Sequence, residues 1–317
     1  MKTKPLGDQP TAEVGIHSID HFALSVPDLA ESEAFLRAFG LRVTRLEDTL
    51  ELRAQPAEHV WARLCSGGPT KHLEYISFGC YAADLERLRT QVRNAGGTMT
   101  EPHPRGDTAG FWFKDMDGTL IQVKVAAKTM PDTKAPLVDE NVPSGARGAP
   151  PRSECPTYSP VRLAHLALFT PNVSRAAAFY QRALGVLLAD RSREGIAFTY
   201  GRHGSDHHLI AFLASEGPGL HHSSWDVLGI GAMGVGSERL RVAGYSNQWG
   251  LGRHVIGSNY FNYIRDGSGQ WWEHICHIDY IPRGALWNGG DYDEEDGFYL
   301  WGPPVPADFG VNAESQP

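Results

Sequence analysis

Residues 260–281, YFNYIRDGSGQWWEHICHIDYI, alternate aromatic and polar positions on either side of one turn at Asp266-Gly267-Ser268-Gly269. A period of two predicts a pair of strands, with successive side chains on opposite faces of a sheet. The same pattern places Glu273 between two tryptophans and a histidine, where a carboxylate is costly to bury without a cation or hydrogen bonds. Alternating runs also open at 163 (LAHLALFT) and at 220 (LHHSSWDV). From Ser174 to Leu184 the period changes: Ala177, Tyr180 and Leu184 share one face at 3.6 residues per turn, which predicts a helix. Short strands follow it, in GIAFTYGRH and HHLIAFLA.

The pattern repeats. IDHFALSVPDLAESEAFLRAFGL (19–41) and LAHLALFTPNVSRAAAFYQRALGV (163–186) share His-x-Ala-Leu, then Pro, then Ala-Phe and a closing Gly. DMDGTLIQV (115–123) echoes DGSGQWWEH (266–274), each with Asp-x-x-Gly and, four residues past the Gly, Gln122 or Glu273. The chain therefore reads as two related halves, 16–126 and 161–281, each made of two units of strand, helix and three strands. This is an α+β arrangement of four βαβββ modules. A curved sheet from one module cannot close alone, so the modules are expected to pair into two open barrels, each around a cavity. Residues 1–15 form an N-terminal extension. Residues 127–160, rich in Pro, Gly and charge, read as a linker. Residues 282–317, dense in aromatic residues and Pro, read as a tail with little regular structure, covering either the mouth of the second barrel or an outer contact surface.

Composition narrows the function classes. The 317 residues carry a formal net charge of −8 with no basic run, which argues against nucleic acid or an anionic membrane as partner. No apolar run approaches the ~20 residues of a spanning helix, and the first residues lack a signal peptide's apolar stretch. Four cysteines, Cys65, Cys80, Cys155 and Cys276, stand without a paired spacing, so neither a disulfide framework nor a zinc ribbon is indicated, and a cytoplasmic setting is expected.

Three residues recur at matching places in the second half. His165 and His222 are each the third residue of an opening strand, and Glu273 sits on the last strand. Two imidazoles and a carboxylate are the set that holds ferrous iron on one side and leaves adjacent positions open for substrate and dioxygen. Paired units are expected to bring these strands together across the cavity. The first half offers His21, then Glu74 or Tyr75, then Gln122; a carboxamide is a poorer ligand, so that barrel reads as metal-free.

With these residues in view, the second half resembles the vicinal oxygen chelate superfamily, and within it the type I extradiol ring-cleaving dioxygenases. The signature runs through Gly250, Gly252, Arg253, His254, Asn259, Phe261, Tyr263, Asp266, Gly269 and Glu273, with Tyr263 nine residues after His254 and Glu273 ten after Tyr263. The turn RDGSG departs from the family's usual Pro-containing form. The resemblance implies a glyoxalase-like fold, with Fe(II) (or Mn(II)) held by His165, His222 and Glu273. It implies a catechol-type substrate and O2, with ring opening next to the diol to a semialdehyde acid. His254 and Tyr263 would orient the diol, and His208 would act as acid–base residue on the strand before that of His222. A homo-oligomer is also implied. Strand alternation turns His207 and His221 outward, into solvent or behind the site; His274 and His277 are expected to do the same, with a cavity-facing position left open for His277. The rival readings are another reaction at the same triad, such as a 2-oxo-acid dioxygenase or an isomerase, and a non-catalytic small-molecule binding protein.

Overall fold

The computed structural model describes residues 4–5, 14–138 and 142–315. Most of the 1–15 extension lies outside the described residues; the backbone of Lys4–Pro5 pairs antiparallel with Gly290–Tyr292.

Each half repeats one order of elements. The first begins with strand Ser18–Val26 and helix Leu29–Phe39, followed by strands Arg42–Leu46, Thr49–Arg53 and Ala62–Ser66. Its second module runs through His72–Cys80, helix Leu85–Ala95, Thr98–Thr100, Phe111–Lys114 and Leu120–Val125. The second half matches it with Arg162–Thr170, helix Val173–Leu184, Leu187–Ser192, Ile196–Tyr200 and Ile210–Ala214. Its last module is Gly219–Asp226, helix Ile230–Val242, Gln248–His254, Tyr260–Arg265 and Trp271–Cys276. Local sequence sets the helix ends. Asp28 and Asn172 accept hydrogen bonds from first-turn amides. Gly185 ends its helix at φ 70°, against the backbone of Val14, where any side chain would collide.

Within every module the closing strand lies parallel beside the opening strand, and the two opening strands of each half pair antiparallel. Both of these central pairs carry register shifts at equivalent places, at Ile19/His21 and Ala23/Leu24 in one half and Leu163/His165 and Ala167/Leu168 in the other. The tail is more regular than its sequence suggests. Gly290–Tyr292 adds beside Leu187–Ser192, and Tyr299–Trp301 beside Gln248–His254, with a one-turn helix, Glu294–Gly297, between them. Those two strands are the opposite ends of the eight that the modules supply. Six residues lie between Tyr292 and Tyr299, and the seven steps of chain reach at most about 25 Å. The sheet must therefore curl until its ends nearly meet, and the tail bridges the gap.

The halves pack through their helices, Leu29–Phe39 against Ile230–Val242 and Leu85–Ala95 against Val173–Leu184. Strand alternation on Trp271–Cys276 separates two tasks. Trp272 faces this layer among Phe22, Phe35, Phe39 and Trp225, while Trp271 and Glu273 take the cavity face. His274 also faces the layer. It is buried, stacks 3.9 Å from the Phe39 ring and hydrogen-bonds the Phe39 carbonyl at 3.0 Å, so its role is to join the halves. His277 has a left-handed backbone at φ 61° and is not among the residues lining the cavity. Among the described residues no helix is long and apolar enough to cross a membrane.

Candidate metal centre and substrate cavity

His165, His222 and Glu273 come together, but on three neighbouring strands rather than from across the cavity. His165 stands opposite Ser224 and Ser224 opposite Glu273, while His222 stands opposite Ala167. The three side chains offer donor atoms within 4.8 Å of one another. Glu273 Oε2 lies 3.4 Å from His165 Nε2 and 3.6 Å from His222 Nε2. Ser224 Oγ sits between them, 2.6 Å from His165 Nε2 and hydrogen-bonded to Glu273 Oε2. This serine escapes sequence reasoning, although its place two residues past His222, on the same strand face, is the signal that marks it.

The donor set fits a divalent cation. Burial, then the neighbouring imidazoles, pushes the His222 pKa far below its ordinary value, so the ring is neutral with a lone pair to give. Glu273 is fully buried, and its Oε1 has no hydrogen-bond partner among the described residues. A buried carboxylate oxygen without a donor is costly unless a cation stands there.

Tyr263 pairs with Glu273 across the adjoining strand. Its hydroxyl lies 3.0 Å from His254 Nε2, and His254 Nδ1 lies 2.8 Å from the Phe298 carbonyl. A carbonyl only accepts, so Nδ1 carries the proton and Nε2 accepts from Tyr263. Burial, then the Glu273 charge, raises the Tyr263 pKa well above the ordinary phenol value, which keeps it a donor.

His208 is not on a strand. It lies in the bend before Ile210–Ala214, buried, with its ring 4.0 Å from that of His165. Burial, then His165 and His207, drives its pKa well below the usual value. His207 and His221 are also buried rather than solvated. The bend at 207–208 and the register shift beside His221 break the alternation that would turn them outward. His207 Nε2 lies 2.6 Å from Asp190 Oδ2, and His221 Nε2 lies 2.7 Å from the Phe309 carbonyl.

Beside the trio opens a cavity of about 340 Å³. His222, His254 and Tyr263 line it, its walls are Ile196, Phe198, Leu213, Ile256, Phe298 and Phe309, and Glu294 brings the one carboxylate among the described residues there. The tail thus supplies part of the wall as well as the acceptor for His254. In the first half the register settles the ambiguous pair: Tyr75, not Glu74, stands where His222 stands, and Gln122 where Glu273 stands. Tyr75 donates to His21 Nε2 at 3.1 Å, and the Arg63 guanidinium reaches the same nitrogen at 3.1 Å.

Comparison with known proteins agrees with this architecture. Residues 18–123 and 162–274 match the family described as Glyoxalase/Bleomycin resistance protein/Dioxygenase superfamily. The chain is 48% identical over 300 residues to metapyrocatechase 2 of Cupriavidus necator, covering 95% of this chain and 93% of that protein. The homoprotocatechuate 2,3-dioxygenase of Arthrobacter globiformis superposes with a TM-score of 0.73 at 20% identity, over 96% of this chain and 94% of that one. A Mn(II)-bound glyoxalase from Novosphingobium aromaticivorans gives 0.72 at 24% identity, over 95% of this chain and 99% of that one. At such identities the structures show the fold alone, whereas the family match and the close relative place the sequence itself. The chain belongs to the glyoxalase/bleomycin resistance protein/dioxygenase superfamily, among its extradiol ring-cleaving dioxygenases.

Proposed function

We propose that His165, His222 and Glu273 hold Fe(II), and that the protein opens the ring of a catechol next to its diol with O2, giving a semialdehyde acid. The observation that carries this reading is the juxtaposition of the three donors, within 4.8 Å, with the His254–Tyr263 pair on the wall of an apolar cavity. When bound, the metal supplies a Lewis acid that lowers the pKa of the diol and a path for electrons between ring and O2. Mn(II) suits the same ligands. The first barrel reads as metal-free on our account, since a guanidinium points at the nitrogen that would have to ligate.

The remaining steps belong to the chain's own side chains. Tyr263 gives its one proton to His254 Nε2 and so meets the bound diol as an acceptor, and His254 fixes the tyrosine's direction, so the ring is held in one orientation. His208, neutral at rest and beside His165, takes a proton from the reacting oxygens and returns it as the O–O bond breaks. The apolar walls exclude water from this exchange. We also read the protein as a homo-oligomer: Leu300 and Trp301 are exposed on the edge strand that the tail adds, a surface that invites pairing. Sedimentation velocity tests that point.

The function is tested by loading the protein with ferrous or manganous ion without oxygen, then adding a panel of catechols in air. Oxygen uptake with a yellow ring-fission product is the expected result. Tight catechol binding without oxygen uptake would make it a binding protein instead.

A further inference from the structure

His208 is held by a line of buried groups that the proposed chemistry does not itself require. Asp190 receives three donors: the Trp287 indole at 2.8 Å and His207 Nε2 at 2.6 Å on Oδ2, and the Gly290 amide at 2.6 Å on Oδ1. An indole N–H and a backbone N–H can only donate, so Asp190 acts purely as an acceptor. His207 then donates from Nε2, and in the neutral ring that leaves Nδ1 as an acceptor. That atom faces His208 Nδ1 at 3.1 Å. One of two facing nitrogens must donate, so His208 carries its proton on Nδ1 and keeps a bare lone pair on Nε2, the nitrogen left for the site. Asp190, His207 and His208 are all buried, so no water competes along this line.

We propose that Asp190 and His207 are positioning residues that fix the tautomer of His208, and that the tail, through Trp287 and the Gly290 amide, fixes Asp190. The line begins where residues 287–290 close on strand Leu187–Ser192 and ends beside His165. Its direction matters: a base must present Nε2 without a proton, and the reversed tautomer would present N–H to the reacting oxygens and have nothing to accept with. Such a carboxylate–imidazole pair also stabilises the charge that arrives when His208 is protonated, because His207 can strengthen its bond to Asp190 without moving.

The test has two arms. The first reads the tautomer directly, by long-range proton–nitrogen spectra of ¹⁵N-histidine-labelled protein, with His208 assigned by the signals lost in His208→Gln. We expect Nδ1–H in the native protein and a shift towards Nε2–H in Asp190→Asn and in His207→Phe, which retains a ring but no acceptor. Nε2–H at His208 in the native protein would overturn the proposal. The second arm rests on the ring-cleavage reading and measures turnover. Each variant should lower kcat by about 10- to 100-fold, the range seen when a group supporting a functional imidazole is removed, with KM and metal content retained. Placed in the His208→Gln background, the same substitutions should cost nothing further. An equal loss in both backgrounds would mean that Asp190 and His207 act on structure rather than through His208. Nδ1–H at His208 in a protein that turns over no catechol would uphold this inference and overturn ring cleavage alone.

Discussion

Glu273 and His208 are both buried side chains of one site, yet their removal should read differently. Glu273→Gln keeps the shape but takes away the one charge among the three donors. Metal affinity should fall by more than the ~10–100-fold that loss of a supporting contact alone costs, as metal analysis after gel filtration would show. His208→Gln should keep its metal and lose turnover on the order of 10²–10⁴-fold, the usual worth of a general acid–base group. Full turnover in a metal-replete His208→Gln protein would remove that residue from the mechanism. The three donors could be picked out as candidates because each stands at a repeat position. The choice of His208 over His207 needed the family resemblance, and of the two places expected for His207 and His221, in solvent or behind the site, both take the second: His207 reaches Asp190 and His221 the Phe309 carbonyl.

At the scale of elements, the tail is the part least readable in advance. Its aromatic residues carry no period, and they become ordered by strand pairing with both ends of a sheet that exists only once the modules have folded. Phe309 shows what that order is for. It packs against Trp249, Tyr263, Trp271 and His221, with ring centroids 4.6, 4.9, 5.4 and 4.7 Å away. Phe309→Ala should destabilise the protein by about 3–5 kcal/mol, measured by denaturant titration, and should weaken KM for bulky catechols by loosening the wall. The same walls constrain the substrate. Among the described residues that line the cavity none is Lys or Arg, and Glu294 adds a carboxylate. Catechols with a carboxylate substituent should therefore fall behind alkyl- or aryl-substituted ones by about two orders of magnitude in kcat/KM, since facing like charges cost several kcal/mol. Equal rates for the two classes in an oxygen-uptake assay would refute this account of the pocket.

Across the whole molecule, Glu314 joins the two halves. It accepts from the backbone amides of Leu73 in the first half and Leu220 in the second, both at 2.9 Å. It pairs with buried Lys71 at 2.9 Å and with His72 at 3.2 Å. Burial alone would raise its pKa, but His72, Lys71 and the two amides outweigh that and hold it at about 2. Lys71, fully buried, is drawn below its ordinary value by burial in spite of this partner. A carboxylate whose pKa is lowered on folding stabilises above its unfolded value, here 4.5, and that stability is lost as pH falls towards about 2. Glu314→Gln leaves Lys71 without its counter-charge and should cost about 3–5 kcal/mol at pH 7. The gap between wild type and variant in urea midpoints should shrink steadily between pH 4.5 and 2. A gap independent of pH would show that the pair contributes nothing electrostatic.

What this sequence determined by itself follows from period and recurrence. Alternating runs, helical faces and capping residues are local, so the order of strand, helix and three strands could be read four times over, and repetition marked His165, His222 and Glu273. Only the tertiary structure decided that these residues lie on neighbouring strands, that Tyr75 rather than Glu74 takes the equivalent place in the first half, and that Ser224 stands between His165 and Glu273. Those outcomes depend on register, and a single shifted residue exchanges the two faces of a strand without leaving a trace in the local pattern. The line from Trp287 through Asp190 and His207 to His208 belongs to the same class. Its members are up to 97 residues apart in the chain, and only the closing of the barrel brings their hydrogen bonds into one direction.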